Sequence, residues 1–142
     1  MGNDLAKACF LLDSQDYTCV VCLGDTVYTA TERGVKPLLS WLTNGPDLKG
    51  FSAADRVVGR ATAFLYVLLG VKEVYARVMS RPAAEVLTAH GIAVQTDSLV
   101  EGIINRRGNG PCPFEAAVME IEDPQTALEA IRKKMAQMQG GK

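Results

Sequence analysis

Residues 51–70 run FSAADRVVGRATAFLYVLLG, from Phe51 to Gly70, and how this stretch is read decides the fold. Its first turn is polar, with Ser52, Asp55 and Arg56. Its body, from Val57 to Leu69, is nearly all apolar apart from Arg60, Thr62 and Tyr66. The pattern predicts one helix over 51–70, wet at its start and buried along its length, because a helix apolar on most sides belongs in the middle of a domain. On that reading Ser52 is the cap and Asp55 the acid three residues later, a capping box with a shortened acid. Helix starts gather unsatisfied N–H groups and partial positive charge, so this one is also a candidate ligand site. Arg56 and Arg60, one turn apart, are placed either to fork onto a carboxylate or phosphate or to lie in solvent.

Working outward, TCVVCL and TVYTATE flank Gly24-Asp25 and predict an antiparallel hairpin. Before it, Leu5, Ala8, Cys9, Leu11 and Leu12 have helical spacing, with Asn3 or Asp4 as N-cap. After it, Val35 to Leu42 is a short amphipathic segment with Pro37 in its first turn. Beyond Gly70 a strand over VKEVYARVM leads to a helix opened by Ser80-Arg81-Pro82 and closed by His90-Gly91. The strand IAVQT then follows. Such alternation predicts parallel strands in a sheet covered on both sides. Ser98 to Ile104 reads as a helical turn, and helices over 114–121 and 124–138 close a single domain spanning 1–142.

With 48% apolar and 22% charged residues, the composition is that of a globular domain, and a net charge of −1 offers no pull on nucleic acid. The apolar run from Ala61 to Val71 is about half of the ~20 residues that a bilayer span needs. No signal-peptide layout is present, so the expected location is cytoplasmic, without membrane attachment. Cys19 and Cys22 lie three apart on a strand and face opposite ways, so they are read as buried thiols and not as a metal pair. His90, at a helix end, is read as structural. Neither a metal site nor a cofactor is expected.

A second chemically suggestive stretch is Asn105 to Glu115, NRRGNGPCPFE. Gly108 and Gly110 free the backbone to turn N–H groups toward an anion, and Arg106 and Arg107 add charge. Cys112 stands just before a helix that Pro113 starts, where a thiol gains thiolate character, while Glu115 opposes that shift. A rigid connector is the alternative.

The segments YTCVVC, TERGVKPLL, KGFSAADRVVGRATAFLYVLLGVKEVYA and NGPCPFEAAV together resemble the bacterial family known as domain of unknown function 1893. The resemblance implies the cytidine-deaminase-like superfamily, an α/β fold built as a three-layer α/β/α sandwich around a mixed sheet that starts in a hairpin. Zinc deaminases of that superfamily carry a His-Ala-Glu motif at a helix start, where this chain has Ala53-Ala54-Asp55. Their Pro-Cys-x-x-Cys is matched by Pro82-Ala83-Ala84-Glu85-Val86. All three zinc ligands are missing, and hydrolytic deamination needs them to make hydroxide from water.

Three functions follow as expectations. The first is binding of a small anionic or nucleotide-like ligand in a hollow shared by the two stretches. Asp55 would accept hydrogen bonds there, Arg56, Asn105 and Arg106 would hold the polar end, the Gly108–Gly110 backbone would approach it closely, and Ser52 and Glu115 complete the ligand-binding set. The second is thiol chemistry at Cys112, with Asp55 or Glu115 taking the proton. The third is a non-catalytic interaction module or homodimer.

Overall fold

A computed structural model describes residues 3–32, 34–103 and 112–140. The elements in order are α1 (Asn3–Ser14), β1 (Cys19–Leu23), β2 (Thr26–Ala30), α2 (Lys36–Asn44), β3 (Ser52–Val58), α3 (Arg60–Leu69), β4 (Glu73–Ser80), α4 (Arg81–Ala89), β5 (Ala93–Val100), α5 (Pro113–Val118) and α6 (Pro124–Gly140). They form a mixed α/β fold with one five-stranded sheet, ordered β2-β1-β3-β4-β5. The hairpin β1–β2 is antiparallel, β1 pairs antiparallel with β3, and β3, β4 and β5 run parallel.

The predicted helix over 51–70 is two elements. Ser52 to Val58 is the central strand, wedged between β1 and β4, and only Arg60 to Leu69 is helical. Gly59 separates them in an extended conformation. A strand covered on both faces carries no alternation that distinguishes it from a buried helix, and pairing on both edges overrides the modest strand preference of Ala53, Ala54 and Asp55. Ser52 is therefore not a helix cap, and the Ser52–Asp55 capping box does not exist. The character assigned to the buried body does hold for α3, where Ala61 to Tyr66 and Leu69 are buried. Ser98 to Val100 likewise extends β5, alongside Val78 to Ser80 of β4, in place of the expected helical turn.

Alternate strand residues feed two cores. Val21, Ala53, Val74 and Ala76 pack with α2, α3, α4 and α6 on one face. Val20, Cys22, Ala54 and Tyr75 pack with Leu5, Ala8 and Leu12 of α1 on the other. The same alternation sends Cys19 to the first core and Cys22 to the second, as their spacing predicted. α4 begins as read, with the Ser80 hydroxyl accepting from the Ala83 N–H. Asp4 caps nothing in its own helix; its carboxylate accepts from the Gly24 N–H in the hairpin turn, 3.0 Å away. Among the described residues no helix is long and apolar enough to cross a membrane.

Candidate functional site

Asp55 pairs with Cys19 of β1 on one side and Ala76 of β4 on the other. Its side chain points toward α3, where the Tyr66 hydroxyl donates to Oδ2 at 2.7 Å and the Val57 N–H donates to Oδ1 at 3.3 Å. The Tyr66 oxygen is in turn 2.9 Å from Cys19 Sγ, so the thiol donates to the phenol that donates to the carboxylate. Tyr66 is fully buried and Cys19 nearly so, whereas Asp55 keeps 8% of its surface exposed.

Burial pushes the Asp55 carboxyl up from 3.8 to about 6, against the hydrogen bonds from Tyr66 and the backbone that favour its charged form. Burial first, and the Asp55 charge second, raise both the Cys19 thiol and the Tyr66 phenol well above their ordinary values. Within this trio Asp55 alone exchanges its proton near neutrality, with two neutral donors lined up behind it. In the sequence Cys19 reads as a buried thiol and Tyr66 lies in the apolar body, and neither is joined to Asp55. The available signal was the phenol of Tyr66 in the apolar body of a buried helix, since such a group needs a partner.

The other expected ligand-holding residues separate. Ser52 lies at the opposite end of β3, about 10 Å from Asp55 at ~3.3 Å per residue, and faces the other way. Its hydroxyl donates to Glu73. Arg56 also faces away from Asp55, and its guanidinium donates to the carbonyls of Leu12, Gln15 and Tyr17, which ties down the C-terminal end of α1. Arg60 begins α3 rather than sharing a helix face with Arg56. It donates to the carbonyls of Val118 and Ile121, pairs with Glu122, and lies 5.1 Å from the centre of the Phe64 ring. The paired-arginine fork is therefore absent.

Glu115 does reach the region. Its carboxylate accepts from the N–H groups of Arg60 at 2.6 Å and Ala61 at 2.8 Å, capping α3 from another element. Gly59 allows that approach, since a Cβ there would stand 2.6 Å from the carboxylate. Cys112 is partly exposed just before α5, its N–H donating to the Ile103 carbonyl. The start of α5 and the carboxyl end of β3 thus meet, with Asp55 about 10 Å further back along the strand at ~3.3 Å per residue. Asn105, Arg106, Gly108 and Gly110 lie outside the described residues. His90 is structural as read, with Nδ1 2.9 Å from the Val86 carbonyl. Among the described residues no group of three His, Cys, Asp or Glu is arranged to hold a metal.

The mixed sheet with helices on both faces, and a buried acid of its central strand bonded to the helix that follows, define an α/β domain organised around β3 and α3. The chain belongs to the TM1506 family, the domain of unknown function DUF1893, whose profile matches residues 7–135. It is similar to the crystal structure of a DUF1893 family protein (TM1506) from Thermotoga maritima. The two are 25% identical with a TM-score of 0.84, over 96% of this chain and 91% of that one. No curated protein matches.

Proposed function

We propose that the protein is a zinc-independent domain of the cytidine-deaminase-like type that binds a nucleotide-like ligand, with Asp55 taking the hydrogen-bond donors of its base. The observation that carries this is Asp55 itself: a carboxyl kept inside the protein near pH 6, with a small exposed surface and a chain of neutral donors behind it. Buried acids maintained against desolvation concentrate at functional sites.

Two features argue against a simple anion at this place. The α3 N–H groups already hold the Glu115 carboxylate, and an anion beside Asp55 would meet that side chain's own negative charge. A base bearing an amino group suits an acceptor such as Asp55.

The zinc motif needs relocating under this reading. The helix after the hairpin is α2, and the helix after the next strand is α3. Their openings, Gly34-Val35-Lys36-Pro37 and Gly59-Arg60-Ala61-Thr62, contain neither Cys nor His, which supports the zinc-independent part of this proposal. Thiol chemistry at Cys112 loses ground, because the acids named as its proton acceptors are engaged elsewhere: Glu115 on α3 and Asp55 on Tyr66.

Thermal shift with cytidine and adenosine nucleotides, against phosphate and citrate, tests the proposal. Amino-bearing nucleotides should raise the melting temperature of the wild type and leave folded Asp55→Asn unmoved. Equal shifts from citrate, equal shifts in the variant, or no shift from any nucleotide would overturn it.

A further inference from the structure

Strand β2 ends the sheet, and among the described residues it pairs only with β1. With the two-residue turn Gly24-Asp25, alternate residues of β2 turn their backbone groups toward β1. Ala30 is one of these, its carbonyl accepting from the Thr18 N–H at 2.8 Å. Val27 and Thr29 turn theirs outward. The strand, TVYTA, contains neither the lysine nor the proline that usually blunts a free edge. Beside its carboxyl end, between β2 and α2, lies an open cavity of about 370 Å³ lined by Thr29, Thr31, Glu32, Pro37, Ser40 and Trp41.

The geometry points to a docking groove for an extended peptide that adds to β2 as a sixth strand, with an arginine side chain seated between Trp41 and Glu32. The free edge supplies backbone pairing, as in strand-addition recognition. The cavity is of the size that clefts use to hold a ligand group. Its lining supplies an indole for a guanidinium to lie on, a proline to cover the apolar stem, a carboxylate, and three hydroxyls. A carboxylate at the groove makes a basic side chain the complementary one. Glu32 contacts Lys36 at 3.2 Å, but both side chains are more than half exposed, and such a pair is weak enough for a bidentate arginine to share or replace. This inference does not depend on ligand binding at Asp55.

Trp41 is the chain's single tryptophan, so its emission reports on the groove directly. The probe is acetyl-Thr-Val-Arg-Val-Thr-amide, compared with the peptide carrying Glu in place of Arg, with the peptide N-methylated at both valines, and with ethylguanidinium. The arginine peptide should change Trp41 emission saturably. The glutamate and N-methylated peptides should bind at least tenfold more weakly, and Glu32→Gln should lower affinity for the arginine peptide about fivefold, the scale of an exposed ion pair. No response to the arginine peptide at millimolar concentration overturns the proposal, as does unchanged affinity in Glu32→Gln. Binding of the N-methylated peptide or ethylguanidinium as tight as that of the arginine peptide overturns strand addition.

Discussion

Asp55 costs the fold stability at neutral pH, and the sign follows from its environment. Its folded value of about 6 lies above the ordinary 3.8, so between these the folded protein holds a proton that the unfolded chain has released. The stabilising contribution is complete below pH 3.8 and is lost as pH rises through about 6. At ~1.4 kcal/mol per unit this amounts to about 3 kcal/mol. Asp55→Asn should therefore be more stable than wild type at pH 7.5 by about 1–3 kcal/mol and show a flatter dependence from pH 4 to 7, read by urea denaturation. Tyr66→Phe removes the donor that favours the charged form. It should push the Asp55 carboxyl higher still, seen by carboxyl NMR titration, and destabilise the protein by about 1–3 kcal/mol through the groups it leaves unpaired. Asp55 stood out in the sequence, though for a helix cap it does not form. Its partners did not stand out, because Cys19 is 36 positions earlier and only strand pairing brings it alongside.

At the scale of elements, what was legible was local. The hairpin follows from Gly24-Asp25, and α4 follows from Ser80-Arg81-Pro82. What was not legible depended on distant neighbours. β3 is a strand because β1 and β4 pair with both its edges, and the end of β5 is a strand because β4 lies beside it. The cap on α3 is of the second kind, since Glu115 is 55 residues from Arg60. Glu115→Ala should destabilise the protein by about 1–2 kcal/mol, as loss of an N-cap does. Gly59→Ala, whose added carbon meets the same carboxylate, should cost a similar amount in the wild type and much less in the Glu115→Ala background. Chemical denaturation of the two single variants and the double variant measures that coupling.

For the whole molecule, the α/β class and the family were readable from the chain, while the distribution of helices over the two sheet faces required the coordinates. Among the described residues, five of the six helices gather around the core of α3, and α1 alone lines the other face. Arg56 holds the end of that lone helix and the turn after it, through the carbonyls of Leu12, Gln15 and Tyr17. Arg56→Ala should lower hydrogen-exchange protection across α1 while leaving α3 unchanged, with a loss of about 1–3 kcal/mol for a charged donor removed from partly buried carbonyls.

The placement of α1 also sets an order of events during synthesis. The surface it rests on is assembled from Val20, Cys22, Ala54 and Tyr75, the last of which is made more than sixty residues after the helix itself. While the ribosome is still producing β3 and β4, the apolar stripe of Leu5, Ala8 and Leu12 has only the β1 part of its floor to settle on. The nascent chain must carry part of that stripe in the open until the fourth strand emerges, so a growing chain offers a chaperone a persistent target in this helix.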